Sequence, residues 1–187
     1  MSANTVKEII DFLLNPNNNY ITSENSPGIV LDFIGGEPFL AIDTIKEAVD
    51  YFTKRCIELD HPWLFRHRFS LCSNGLLYFD PKVQNFLQEY LWRISFTITI
   101  DGNKELHDSC RLDLNGNGTY DRARSATTHF REYFRNDIGS KMTIAPANVQ
   151  YVTEAVKDFF KYGHKDIALN CVYEEGWTNE HATTLYY

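Results

Sequence analysis

Small and acidic residues follow an apolar run near the start of the chain, in an order that could bind an ammonium group. Residues 29–34 are mostly apolar, and this run predicts a strand buried on both faces, as in a parallel sheet. Gly35, Gly36 and Glu37 come next. Glycines permit a sharp turn and close approach of a ligand to the main chain, and a carboxylate there suits a ligand ammonium. An ordinary turn with a surface glutamate is the alternative.

Polar residues also follow two later runs with strand character. Ser73 and Asn74 follow the first run, and Thr99 and Asp101 follow or end the second. Because side chains in a strand alternate, Thr99 and Asp101 should lie on one side, where a buried aspartate needs ligand hydroxyls or backbone N–H groups as partners. Arg111 follows in a loop and suits a bidentate contact to a ligand carboxylate. A turn aspartate and a solvated arginine are the alternatives.

Two other patterns favour ordinary surface structure over a functional site. His107 and Asp108 are residue types used in acid–base catalysis, but one neighbouring pair does not define a site. Residues 113–118 match the first half of a calcium-binding loop, yet its twelfth position, normally a bidentate glutamate, is Arg124. We therefore expect a glycine-rich surface loop and no metal site.

Composition and charge exclude several classes of partner. The chain has 187 residues, 43% of them hydrophobic, and a net charge of −7, which disfavours a nucleic-acid partner. The sequence has no apolar run long enough to span a membrane, and its polar start resembles no signal peptide, so a cytoplasmic location is expected. The cysteines are far apart and form no CxxC pair, so we predict buried thiols rather than metal ligands.

Helical and strand patterns alternate along the chain. The predicted helices are residues 5–14, 41–59, 81–91, 120–134 and 149–162, the predicted strands are residues 29–34, 68–72, 94–100, 141–145 and 167–172, and residues 103–119 are predicted to form a polar loop. This alternation calls for a parallel sheet with outer helices, in one α/β domain over residues 1–187. An open doubly wound sheet competes with a barrel or partial barrel. In both, the ligand site lies at the carboxyl ends of the strands.

The segments FIGGEP, SNG, ITIDG and LHDSCR, in this order, resemble the motifs of the radical S-adenosylmethionine (SAM) enzymes. The resemblance covers nearly the whole chain and is nearest to the SPASM-type branch of peptide maturases and anaerobic sulfatase-maturating enzymes. It implies a partial (βα)6 barrel. In this family the GGEP turn binds the amino end of SAM, which assigns that role to Gly35, Gly36 and Glu37.

The resemblance also implies cofactor-binding roles for later residues. Ser73 or Asn74 would lie near the cofactor. The Thr99 hydroxyl and Arg111 would hold the SAM carboxylate, although the family more often has serine at the first of these positions. Asp101 belongs to the same motif and is included in the cofactor-binding set.

The chain departs from the family in its cysteines. The 4Fe–4S cluster, which yields a 5′-deoxyadenosyl radical from SAM, is held by a C-x-x-x-C-x-x-C loop that this sequence does not contain. We therefore expect a core truncated at both ends, without the first barrel strand, the cluster loop or the SPASM extension. The cluster would belong only to the full-length parent, and this chain would bind SAM weakly and perform no radical chemistry.

The resemblance implies a parent enzyme that modifies a ribosomal peptide, with thioether formation at cysteine as the leading reaction. Oxidation of a sulfatase residue to formylglycine is the alternative within the family. A peptide- or nucleotide-binding module without a cluster is the alternative of another class. The expected partner is a peptide or protein substrate, and the exposed edge of the strand at residues 29–34 would favour self-association.

Overall fold

The computed structural model describes residues 1–18, 27–174 and 176–186. Helices and strands alternate along these residues, as the sequence predicts. The helices are α1 (Ala3–Leu13), α2 (Ile42–Glu58), α3 (Pro81–Tyr90), α4 (Lys104–Cys110), α5 (Tyr120–Phe134), α6 (Val152–Lys161) and α7 (Asn179–Tyr186). The strands are β1 (Ile29–Phe33), β2 (His67–Ser73), β3 (Ile94–Thr99), β4 (Gly139–Ile144) and β5 (Ile167–Cys171).

The order of the strands decides between the two predicted closures. Within the described residues, five strands form one all-parallel sheet in the order β1-β2-β3-β4-β5, which is the order of the chain. A doubly wound sheet reverses its strand order at a switch point, and this sheet has no reversal. The prediction of a partial (βα) barrel with flanking helices is confirmed, and the doubly wound alternative is wrong.

The chain divides into two compact units. The first unit comprises Met1–Leu71 and Asp80–Ser95, and the second comprises Cys72–Phe79 and Phe96–Tyr187. In the first unit β1 and β2 are in parallel register from the pair Ile29 and His67 to the pair Phe33 and Leu71. Helix α2 buries one face over about three turns, because its apolar residues recur at helical spacing; these include Ile45, Val49, Phe52 and Cys56.

Strand β1 corrects one sequence prediction. We expected it to be buried on both faces, but Val30 is 59% exposed and Asp32 is exposed, whereas Leu31 and Phe33 are half-buried. In the described part of the chain β1 is the first strand of the sheet and pairs with β2 alone. An apolar run predicts a strand but does not tell whether that strand is central or at an edge. Self-association through this edge stays a prediction.

Ion pairs join the helices of the first unit. Asp11 of α1 accepts hydrogen bonds from Tyr51 Oη at 2.7 Å and from Arg55 Nε at 2.8 Å, both on α2. On the other side of α2, Lys46 binds Glu89 of α3 at 2.8 Å. Among the described residues, no helix is both long and apolar enough to cross a membrane.

In the second unit, β3 and β4 bury one face, whereas no residue of β5 is buried. Ile98, Met142 and Ile144 on that face are at most 1% exposed. The main correction lies in the segment predicted as a polar loop, which contains helix α4. This helix has seven residues and begins at the cap Asn103, whose Oδ1 accepts from Leu106 N at 2.9 Å. A short polar helix carries no apolar periodicity, so its sequence resembles that of a loop.

Candidate functional site

The turn after β1 presents an open backbone. Gly35 has φ +128°, a value that favours glycine, and a Cβ built at Gly35 or at Gly36 would meet no atom within 4 Å. Glu37 Oε1 accepts a hydrogen bond from Phe39 N at 3.1 Å and so caps the short 3-10 turn at Pro38–Ala41. The two glycines therefore offer main-chain groups to a ligand, beside a carboxylate that the turn holds in place.

A cavity of about 360 Å³ adjoins this turn within the first unit. Its walls come from α1, β1, the turn and α2. Gly35, Gly36 and Glu37 line one side of it, and the rest of the lining is mainly apolar, including Ile9 and Phe33. The turn thus places polar groups at the rim of an apolar cavity, a combination typical of small-molecule sites.

Ser73 and Asn74 shape the turn at the end of β2, in the second unit. Ser73 is 1% exposed and its Oγ accepts from Gly75 N at 2.9 Å, while Asn74 Oδ1 accepts from Leu76 N at 2.9 Å. Gly75 has φ +78°, and a Cβ there would lie 3.3 Å from the Cα of Ala123. Both predicted cofactor residues therefore help to fix a tight turn against α5.

Asp101 and Arg111 form an ion pair after β3, in the second unit. Asp101 is 1% exposed, and its Oδ2 lies 2.5 Å from Arg111 Nε. Its Oδ1 accepts from the backbone N of Thr143 at 2.7 Å, and Arg111 Nη2 donates to Thr143 Oγ1 at 3.2 Å. The protein itself thus supplies the partners that a buried aspartate needs. Arg111 Nη1, with its two N–H groups, has no hydrogen-bond partner among the described residues.

Thr99 lies at the end of β3 on the side opposite the buried Ile98 and Ile100. Its Oγ1 is 3.6 Å from the Sγ of Cys72. Thr99 as a residue is half-buried. In the second unit the structure therefore joins Asp101 to Arg111 and places Thr99 beside Cys72.

His107 connects the segment that contains Asp101 to the segment that contains Arg111. Its Nδ1 accepts from the backbone N of Asp101 at 3.1 Å, and its Nε2 lies 3.0 Å from Thr119 Oγ1. Thr119 Oγ1 in turn donates to the backbone O of Arg111 at 3.0 Å. Because Nδ1 accepts a hydrogen bond, the ring proton is on Nε2, and burial lowers the pKa of His107. His107 is therefore a neutral residue that positions its neighbours.

The sequence indicated His107 for a different reason. The pair with Asp108 suggested acid–base chemistry, but Asp108 Oδ1 accepts from the backbone N of Tyr120 at 2.8 Å and serves the start of α5. Both nitrogens of the His107 ring are used within the protein. Its positioning role depends on contacts with Asp101 and Thr119, which the sequence does not reveal.

Replacing His107 with leucine is expected to lower the free energy of unfolding by about 1–3 kcal/mol. The change leaves the buried Asp101 amide without its acceptor and the Thr119 hydroxyl without its ring partner. Urea denaturation measures the loss. Ser109→Ala, an exposed position on the same helix, is the control and should change the value by no more than about 0.5 kcal/mol. Equal effects of the two changes would contradict the positioning role.

The loop after Arg111 forms its own hydrogen bonds. Asp113 Oδ1 accepts from the backbone N of Asn115 at 2.9 Å and of Asn117 at 3.0 Å, and these bonds lower the pKa of Asp113. The carboxylate thus organises a turn around Gly116, as expected for a glycine-rich surface loop. Across the described residues, no group of three or more His, Cys, Asp or Glu side chains is disposed to hold a metal ion.

The cysteines lie on separate elements. Cys56 is buried on α2, where burial raises the pKa of its thiol to about 11. Cys72 and Cys171, on β2 and β5, are half-buried, and Cys110 at the end of α4 is exposed. The prediction of buried thiols holds for Cys56 and is wrong for Cys110. Because a 4Fe–4S cluster needs closely placed thiolates, these four residues do not fit one.

Comparison with known proteins found a distant relative by sequence, and solved structures that share the fold of this chain. A scan against protein-family models found no match. The uncharacterized protein MJ0907 of Methanocaldococcus jannaschii is 27% identical over 171 residues, which are 91% of this chain and 52% of that protein. The chain therefore spans about half the length of the curated relative that it matches.

Solved structures share the fold of nearly the whole chain. Native anSMEcpe with bound AdoMet and the Cp18Cys peptide has a TM-score of 0.75 and 22% identity, over 99% of this chain and 50% of that chain. Native anSMEcpe with bound AdoMet has a TM-score of 0.73 at the same identity, over 49% of that chain. At this level of identity, the likeness establishes that the chain has the fold of these AdoMet-bound structures.

Proposed function

We propose that this chain binds S-adenosylmethionine and is part of a radical SAM enzyme that modifies a peptide or protein. The main support for the proposal is the position of the chain's polar residues. These residues follow the carboxyl ends of parallel strands, and the order of the strands is that of a partial barrel. Barrels of this kind bind their ligands at the carboxyl ends of the strands. The motifs in these positions are those that the sequence resemblance singled out.

Within the second unit, we assign the SAM carboxylate to Arg111 and Thr99. Nε of Arg111 is held by Asp101 while its Nη1 has no partner among the described residues, and Thr99 is half-buried on the sheet face opposite the buried Ile98. Asp101 acts on the ligand through Arg111, because both of its oxygens already accept hydrogen bonds from the protein. Ser73 and Asn74 support the site by fixing the turn after β2.

Within the first unit, we assign the SAM ammonium group to Gly35, Gly36 and Glu37. Their backbone is open, and the apolar cavity beside them suits the uncharged part of a ligand. Binding of SAM by a chain of this fold is supported by the structures of anSMEcpe, which hold AdoMet and in one case also the Cp18Cys peptide.

Radical chemistry itself is not assigned to residues of this chain. When bound beside a reduced 4Fe–4S cluster, SAM supplies a 5′-deoxyadenosyl radical, and the cysteines described above do not fit that cluster. The role of this chain is to bind and orient SAM and to shape the site in which a peptide reacts.

We propose a ribosomal peptide as the substrate, modified at cysteine, with a sulfatase as the second candidate. The two differ in genetic context. A short cysteine-rich precursor gene beside this one is expected for the first, and a sulfatase gene for the second.

Calorimetric titration with SAM tests the binding proposal. One charge-assisted hydrogen bond contributes about 1.5–3 kcal/mol, and ordering the ligand costs several kcal/mol. We therefore expect a dissociation constant of about 1 mM, or about −4 kcal/mol. Arg111→Ala should weaken binding about tenfold, and Glu37→Ala should also weaken it. The control Arg66→Ala removes an exposed guanidinium just before the amino end of β2 and should leave affinity unchanged.

Tight binding that neither Arg111→Ala nor Glu37→Ala alters would place the SAM site elsewhere. Binding of a peptide or nucleotide in the absence of any SAM affinity would favour the binding module without a cluster.

A further inference from the structure

The exposed face of the β3-β4-β5 sheet in the second unit carries a lysine among small and polar side chains. Lys141 of β4 is in register with Thr99 of β3 on one side and with Ala168 of β5 on the other. Thr143 lies two residues further along β4, in register with Asn170. Since register partners in a parallel sheet point to the same face, these five residues share one surface. On the opposite face, Ile98 of β3 and Met142 of β4 are buried, whereas Leu169 of β5 is 42% exposed.

The Lys141 ammonium has a neutral partner and no acidic one. With the Asn170 amide oriented so that its oxygen faces the lysine, Nζ donates to Asn170 Oδ1 at 3.1 Å. No carboxylate of the described residues forms an ion pair with Lys141. The nearby Asp101 is engaged by Arg111 and by the backbone of Thr143. A half-buried cation without a counter-ion attracts an anionic ligand group.

Space is available beside this cation. Ala168 is exposed and is the smallest of the neighbouring side chains, so β5 leaves room next to the lysine. Thr99, on the other side, is the hydroxyl already assigned to a ligand carboxylate. Lys141 is therefore the cation in register with that hydroxyl, whereas Arg111 belongs to a loop beyond the strand and makes its contacts at Asp101 and Thr143.

We infer that Lys141 is a further ligand-binding residue, which binds the carboxylate at the amino-acid end of an S-adenosylmethionine-type ligand together with Thr99. The inference rests on the proposed function and deepens it. It names a second cation for the same carboxylate, on the strand next to Thr99 rather than in the loop that carries Arg111.

An NMR titration with two nucleosides tests the inference. S-adenosylhomocysteine has the amino-acid carboxylate, and 5′-methylthioadenosine lacks the whole amino-acid end. Lys141→Met keeps the length of the side chain and removes its charge. We expect it to weaken S-adenosylhomocysteine binding about tenfold and to leave 5′-methylthioadenosine binding unchanged. Lys141→Arg should restore most of the affinity, and Lys161→Met, at an exposed lysine of α6, should have no effect.

The outcomes separate the inference from the proposed function. If the unmodified chain binds both nucleosides and Lys141→Met binds them equally well, the role of Lys141 is overturned while SAM binding stands. If Lys141→Met weakens both nucleosides by the same factor, the lysine does not recognise a carboxylate. If the unmodified chain binds neither nucleoside, the proposed function fails, and the inference fails with it.

Discussion

Asp101→Ala is expected to lower the free energy of unfolding by about 3 kcal/mol. The change removes a carboxylate whose side chain is 2% exposed and leaves Arg111 and the Thr143 amide without their acceptor. Removing one partner of a buried ion pair costs about 3–5 kcal/mol, and the value here lies at the lower end because the Arg111 side chain is 35% exposed. Urea denaturation at neutral pH measures the loss.

Two further variants test whether the loss of stability depends on the charge of Asp101 and on the burial of its ion pair. Asp101→Asn keeps an oxygen for the Thr143 amide and loses the charge, so we expect an intermediate loss. Asp137→Ala breaks an ion pair with Lys165 whose side chains are 67% and 75% exposed, and should cost about 0.5 kcal/mol or less. Equal losses in Asp101→Ala and Asp137→Ala would show that burial of the Asp101 pair contributes nothing.

Acidification from pH 6.5 to 4 is expected to destabilise the chain by about 3 kcal/mol through His164 alone. Burial and the nearby Arg124 and Arg131 lower the pKa of His164 to about 4. Its Nε2 lies 3.3 Å from Arg124 Nη1, which donates to it, and its Nδ1 lies 3.4 Å from the backbone O of Ile138. A second proton on the His164 ring would therefore be buried beside the Arg124 guanidinium.

The sign follows from proton binding. Between pH 6.5 and about 4 the unfolded chain binds the proton on this ring and the folded chain does not. Stability is therefore complete above pH 6.5 and is lost as the pH falls towards 4. His61, His67 and His107 act in the same direction, because burial lowers the pKa of each ring.

Urea midpoints measured at several pH values give the slope, and an NMR titration of the His164 ring gives its pKa directly. His164→Gln should flatten the dependence between pH 6.5 and 4. A ring that titrates close to the ordinary histidine value would contradict the prediction, as would an unchanged slope in the variant.

The sequence predicted the strands and their parallel arrangement from local signals, whereas the partial barrel, and with it the order of the strands, came from the resemblance alone. Each strand is an apolar run bounded by turn residues, and its alternation with amphipathic helices leaves few ways of connecting a parallel sheet. Helix α4 gave no such signal, since His107 is its only buried residue. The exposed face of β1 was missed because Val30 and Leu31 are both apolar and both pair with β2, so that only what covers each face of the strand distinguishes their environments.

The sequence indicated which residues form the candidate site, but it did not indicate which of them contact each other. Asp101 and Arg111 were recognised separately, as a buried aspartate in need of partners and as an arginine able to hold a carboxylate. That they bind each other depends on the path of the chain through α4. Thr143 completes the pair from a position 42 residues beyond Asp101, and a threonine in a strand carries no sign of this role. Lys141 is likewise ordinary in sequence and unusual only in its place on the sheet.

The fixed position of Arg111 has a thermodynamic consequence for ligand binding. Its guanidinium is held at Nε by Asp101 and at Nη2 by Thr143, so its rotamers are selected when the chain folds. A free arginine would lose about 0.5–1.5 kcal/mol of conformational freedom on meeting a ligand. Here that entropy is lost before the ligand arrives, and its cost appears in folding stability instead of affinity. A ligand that binds to Arg111 should accordingly bind to the unmodified chain with a smaller entropy penalty than to the Asp101→Asn variant. This difference is expected even where the binding enthalpies of the two proteins are alike.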